Sequence, residues 1–371
     1  MSNLNYSFIV PTKVFINNGA VYDHLPGTIM EMGIRKILLI TEPGIVEVGL
    51  AKEIKDLLTS NGLLVDVFSE VEPEPGFPTV RRAANFMRLS DTDCLVALGG
   101  GSLIDVAKGA RVLFDNGGEI GDYAGVNKVR VRPKLPLLAI PTTAGNGSEV
   151  TAFAVFSDWE QKIEVTIISE YLASDIAFVD PLMMLSAPPG ITAASGIEAL
   201  SHAIEAYVST ISSPFSDTLA LKAVDLITNY LEPAVVNGKD VEARKNVALG
   251  SSLAGMASNN AFMGLTHCMA ASLHGHNRAS QGVAIGILLP YVMEYNSMVN
   301  PYKFADLACS MGIPFEGKTL HAVASSAIRT VQKLVKNIGL PTHIRELGVS
   351  PDSLAAIAET ALKHDMVKFN P

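Results

Sequence analysis

The hydrophobic pattern changes character near the middle of the chain. Up to about residue 181, short apolar runs alternate with amphipathic segments, which predicts parallel strands joined by helices. Runs at 36–41, 63–68, 93–98 and 135–140 predict four buried strands, with a helix over 48–61 after the first. Residues 153–156 and 163–167, on either side of Asp158-Trp159-Glu160-Gln161, predict an antiparallel hairpin, and 176–181 closes the sheet-forming half. From about Ser186 the apolar period is helical, clearest over 217–231, 241–257, 318–338 and 353–363. The pattern therefore predicts a doubly wound α/β N-terminal domain and an all-helical C-terminal domain. The boundary falls near 181–188, around Ala187-Pro188-Pro189-Gly190, giving domains 1–185 and 186–371.

Composition narrows the picture. Hydrophobic residues make up 48% and charged residues 18% of 371, so the chain is globular with an extensive core. A net charge of −9 and the absence of a basic run argue against nucleic acid as a partner. No apolar stretch approaches a membrane span, and the N-terminus lacks a signal-peptide pattern. Three cysteines, Cys94, Cys268 and Cys309, fall at unrelated spacings, which fits a reducing cytoplasm better than a disulfide framework. A small-molecule substrate and a homo-oligomer are the expected partners.

Candidate chemistry lies at strand ends and on one helix. Leu98-Gly99-Gly100-Gly101-Ser102 followed by Ile104-Asp105-Val106-Ala107-Lys108 is a strand, a glycine turn and a helix start. Free N–H groups and the helix dipole there suit a pyrophosphate. The same residues also suit a plain tight turn with Ser102 as N-cap. Pro141-Thr142-Thr143-Ala144-Gly145-Asn146-Gly147-Ser148-Glu149-Val150-Thr151 repeats the chemistry after the next strand, and two such loops converge in a doubly wound sheet. Glu198 and His202 stand at i and i+4, so a helix would aim a carboxylate and an imidazole at one point. An isolated pair at that spacing is equally a surface ion pair worth roughly 0.2–0.5 kcal/mol.

These motifs, with Tyr207, Gly264-Leu265-Thr266-His267, Gly282 and Leu289-Pro290, resemble the iron-containing (group III) alcohol dehydrogenases from Phe8 to about Asn370. The resemblance implies the dehydroquinate synthase-like fold, with NAD(P) and Fe(II) or Zn(II) in a cleft between the domains, and a small alcohol interconverted with its aldehyde or ketone. It implies cofactor contacts from Glu42, Gly99, Gly100, Gly101, Ser102, Asp105, Thr142, Thr143, Ser148, Thr151 and Lys162. Glu42, placed as a ribose reader, favours NAD over NADP because a carboxylate repels a 2′-phosphate. The ligand positions become Glu198, His202, His267 and Gln281, with His202 and His267 also the catalytic residues.

The chain departs from the family at that site. Glu198 replaces Asp and keeps an anionic oxygen, whereas Gln281 replaces His with a neutral amide, a weak donor for Fe or Zn. Ala271 stands where the family has a further His near the substrate. His274 and His276 lie outside the usual pattern, and His274, at i+7, shares the helical face of His267. A metal that lowers bound water from a pKa of about 15.7 to about 7 represents roughly 12 kcal/mol of oxyanion stabilisation. A general acid contributes only roughly 3–5 kcal/mol, so oxidation of a simple alcohol implies the metal. Two alternatives remain open: a metal-independent reductase of an activated carbonyl, and a cofactor-binding protein without turnover.

Overall fold

The computed structural model describes residues 6–161 and 163–371, and these form two compact units. One contains residues 11–143 and 148–187, the other 6–10, 144–147 and 188–371.

The first unit is built on a parallel sheet. Its strands are β1 (Lys13–Ile16), β2 (Lys36–Ile40), β3 (Leu64–Phe68), β4 (Cys94–Gly99), β6 (Leu137–Pro141) and β9 (Ile176–Val179). Their order is β1-β9-β6-β4-β2-β3 and every pair is parallel. From β2 the chain goes first to β3 on one side and then returns to β4 on the other. The reversal point of this doubly wound sheet therefore lies between β2 and β4. Alternate residues serve separate cores. Leu38, Ile40, Leu95 and Ala97 pack on one face, and Ile37, Leu39, Val96 and Leu98 on the other. Burial on both faces explains why these strands read as continuous apolar runs. The helices are α1 (Ala20–Glu31), α2 (Pro43–Glu47), α3 (Leu50–Ser60), α4 (Phe77–Ser90) and α5 (Gly101–Asn116). A second sheet pairs β7 (Phe153–Asp158) antiparallel with β8 (Ile163–Ile168), to which β5 (Gly125–Val126) adds in parallel.

The other unit is helical: α6 (Pro189–Val208), α7 (Pro214–Val236), α8 (Val241–Ala261), α9 (Leu265–Asn277), α10 (Gln281–Ser297), α11 (Pro301–Ser310), α12 (Leu320–Asn337) and α13 (Leu354–Leu362). Helix α6 has Pro189 in its first turn, where a missing N–H is harmless. Small residues let α6 pack closely. A Cβ on Gly196 would overlap the Leu231 side chain, and one on Gly282 would overlap the carbonyl oxygen of Ala194. The second contact fixes the start of α10 one turn of α6 ahead of Glu198.

Three details differ from the sequence reading. The helix expected over 48–61 is α3, Leu50–Ser60, and the short α2 before it, started by Pro43 and separated from α3 by left-handed Gly49 (φ +83°), was not anticipated. Strands β1 and β5 were not anticipated. Residues 6–10 and 144–147, expected in the N-terminal domain, group with the helical unit. The Ile9 amide donates to Asn260 (2.8 Å), Ser251 donates to the Gly145 carbonyl (3.0 Å), and Gly147 lies against Gly255. No helix among the described residues is long and apolar enough to cross a membrane.

Gly282→Ala meets backbone rather than a yielding side-chain tip, so overpacking of about 1–3 kcal/mol is expected. The midpoint of urea unfolding should fall accordingly, whereas Gly190→Ala, which meets nothing within 4 Å, should leave it unchanged.

Candidate active site

In the sheet unit the expected cofactor residues gather at strand carboxyl ends. Strand β4 runs into Gly99, Gly100 is the extended N-cap of α5 (ψ 179°), and Gly101 and Ser102 form its first turn. Ser102 is thus not the N-cap, and no side chain caps the helix, so its first amides remain available to an anion. Glu42 follows β2 directly across the reversal point and accepts a hydrogen bond from the Gly100 amide. Burial pushes its carboxyl above the usual range and that bond opposes the shift. On the other side of β4, the Thr142 amide donates to the Gly99 carbonyl (3.0 Å). Thr143 Oγ1 lies 3.5 Å from where a Gly100 Cβ would stand, an ordinary van der Waals distance that sets the two turns side by side. Lys162 lies outside the described residues.

Asp105, Ser148 and Thr151, expected at the cofactor, also make hydrogen bonds within the protein. Lys108, fully buried, donates to Ser148 Oγ (2.9 Å), the Thr151 carbonyl (3.0 Å) and the Phe153 carbonyl (2.6 Å). Asp105 lies 3.6 Å from the same ammonium and accepts from Ser148 Oγ and the Val155 amide. Burial works against both charges, pushing Lys108 down and Asp105 up, and each offsets the other's penalty. Their role is to fasten the segment after β6 to α5, because buried polar groups need partners and these have found them in the protein.

In the helical unit, α6 carries Glu198 and His202 one turn apart, half-buried and buried respectively. The His202 ring stacks on that of His267, at the first turn of α9, with centroids 4.5 Å apart and planes within 8°. His202 Nδ1 and His267 Nε2 are buried and have no hydrogen-bond partner among the described residues. Burial, then the neighbouring His267 ring, holds His202 well below the usual histidine range, so it is neutral and keeps a lone pair. Glu205 faces His267 Nδ1 and accepts the Thr266 amide at 2.6 Å. Burial alone would raise its carboxyl, but attraction to His267 and hydrogen bonds from His267, Thr266 and Gly264 lower it overall. Asn370 braces the same turn, accepting the Leu265 amide (3.2 Å) and pairing reciprocally with the Asn296 amide group.

Gln281 is the first residue of α10, half-buried. Ala271 sits one turn after His267 and is buried. His274 is buried, with Nδ1 2.9 Å from the Ala279 carbonyl, and His276 is exposed, with Nε2 near Thr360. Sequence reasoning gave no role to Glu205, Asn370 or Lys108. For Glu205 a signal existed: at i+7 from Glu198 it continues the same helical stripe.

Two buried imidazole nitrogens without partners, with Glu198 one turn before His202 on α6, are donor types that suit a divalent ion. A glycine turn at the reversal point of a doubly wound sheet suits a nucleotide phosphate. The comparisons agree. Residues 11–181 match the description "Iron-containing alcohol dehydrogenase", and 192–371 match "Fe-containing alcohol dehydrogenase family, C-terminal". The chain is 36% identical to an NAD-dependent methanol dehydrogenase of Bacillus methanolicus, over 98% of this chain and 95% of that protein. It is 37% identical to a 1,3-propanediol dehydrogenase of Klebsiella pneumoniae, over 100% and 96%. A solved 1,3-propanediol oxidoreductase superposes with a TM-score of 0.95 at 36% identity, covering 99% of this chain and 96% of that one. The chain belongs to the iron-containing alcohol dehydrogenase family. It is an oxidoreductase of the alcohol dehydrogenase class.

Lys108→Met would strand Asp105 as a buried, uncompensated carboxylate, at a cost of about 3–5 kcal/mol. Adding Asp105→Asn should recover part of that loss in a double-mutant cycle followed by thermal unfolding.

Proposed function

We propose that the protein is an NAD-dependent oxidoreductase that interconverts a small polar alcohol and its aldehyde or ketone, assisted by a divalent metal, Fe(II) or Zn(II). Residues 1–185 serve as the nucleotide-binding domain in this reading and 186–371 as the metal and substrate domain. The observation that carries it is the pair of buried, partnerless nitrogens, His202 Nδ1 and His267 Nε2. Such atoms are costly in a core unless something else binds them. Relatives named for methanol and 1,3-propanediol support a short alcohol as substrate.

The division of labour follows from the residues. The amides of Gly100, Gly101 and Ser102 hold the pyrophosphate at the start of α5, and Thr142 and Thr143 line the neighbouring turn. Glu42 exchanges its bond with the Gly100 amide for ribose hydroxyls. Glu198, His202 and His267 hold the metal, and Gln281 adds at most a neutral amide oxygen. A bound nicotinamide would supply hydride exchange with the carbinol carbon, and a bound metal would supply positive charge for the substrate oxygen. The burial of both histidines keeps bulk water from competing for that oxygen. Gln281, in place of an imidazole, is the observation that favours the second reading, a metal-independent reductase of an activated carbonyl. Three cysteines, none paired, support a cytoplasmic setting.

Elemental analysis of freshly purified protein should find Fe or Zn in most subunits, and a chelator should abolish NADH-linked turnover followed at 340 nm. Metal in fewer than about a tenth of subunits, with turnover indifferent to chelator, would select the second reading. Removing the carboxylate in Glu42→Ala should narrow the preference for NAD over NADP roughly tenfold, about 1.4 kcal/mol, in the ratio of kcat/KM values.

A further inference from the structure

Glu205 lies on α6 three residues after His202 and seven after Glu198. It is 3% exposed and its two oxygens do different things. Oε1 accepts the Thr266 amide at 2.6 Å and so caps the first turn of α9, whose own N-cap, Gly264, offers no side chain. Oε2 faces His267 Nδ1. An ionised carboxylate only accepts, so the hydrogen of that bond belongs to Nδ1. A neutral imidazole protonated at Nδ1 carries its lone pair on Nε2, which is the buried atom that lacks a partner.

We propose that Glu205 is a positioning residue for metal binding: it locks His267 in the Nδ1–H tautomer and presents the Nε2 lone pair to the ion. The inference rests on the divalent-metal reading above and deepens it. A purely structural cap would explain Oε1 but leave Oε2 without purpose, and the two roles respond differently to substitution. Glu205→Gln keeps an oxygen for the Thr266 amide but turns an NH2 group toward Nδ1. His267 must then accept at Nδ1 and carry its proton on Nε2, where the metal should be. Glu205→Asp shortens the arm but keeps an acceptor on both sides.

The test is a Co(II) titration of chelator-stripped wild type, Glu205→Gln and Glu205→Asp, read by visible absorption against a competing chelator. Alongside it, nitrogen-15 histidine spectra of the metal-free wild type identify His267 by its loss in His267→Asn. Wild type should bind one Co(II) per chain, and Glu205→Gln should bind roughly 10–100-fold more weakly. Glu205→Asp should regain at least about threefold of that loss, a direction set by donor polarity. The spectrum should show His267 protonated on Nδ1. Equal affinity in wild type and Glu205→Gln, equal weakening in both variants, or a proton on Nε2 in the wild type each overturns the proposal. If Glu205→Gln does not fold, the wild-type spectrum decides alone. Failure of the wild type to bind Co(II) overturns the metal reading instead, and the metal-free spectrum still judges the tautomer.

Discussion

The ammonium of Lys108, fully buried, is the constraint on which the nucleotide side of the molecule depends. A charge without water must find oxygens, and it finds them on Ser148, Thr151 and Phe153, with Asp105 as counter-ion. Those oxygens all come from the segment after β6, while Lys108 and Asp105 come from the helix after β4. One desolvated cation thereby fixes the spacing between two turns, each of which alone would be a mobile glycine-rich loop. The same logic recurs in the helical unit, where the Glu205 carboxylate ties α6 to the start of α9. In both places a buried charge made costly by desolvation converts sequence-distant segments into a fixed frame.

The fold was legible where local pattern and tertiary burial agree. Strands β2, β4 and β6 read as apolar runs because both their faces are covered, and α7, α8 and α12 kept a clean helical period. Strand β1 was not legible. It has four residues, lies at the sheet edge, and exists because Lys13 to Ile16 pair with a strand some 160 residues on. Nothing local marks such a strand, since its stabilisation is the partner's ladder. The helix expected over 48–61 was legible as α3, whereas α2 before it was not, since five residues are too few to show a helical period.

The candidate site divides along the same line. Glycines at a strand end and a Glu-x-x-x-His helix are short-range patterns, and the structure places them at the sheet's reversal point and on a buried helix face. What sequence could not supply is which polar residues serve a ligand and which serve the frame. Asp105, Ser148 and Thr151 look alike in both roles, and their hydrogen bonds to Lys108 and each other show the part they play in the frame. Glu205 is the converse. Its partners lie about sixty residues away, so its link to His267 appears only once α6 and α9 are packed.

The register of β4 against β6 sets Gly99 beside Pro141, at the level where both strands end. Because side chains alternate faces every residue, one residue inserted between Leu95 and Gly99 would exchange the two cores on β4 and carry the glycine turn out of line with its neighbour. The chain that joins the two strands is under no such discipline: most of residues 127–134 are exposed. Length variation among descendants of this chain should therefore collect in that outer bridge, where growth is absorbed by solvent, while the few residues before the glycines remain of fixed length.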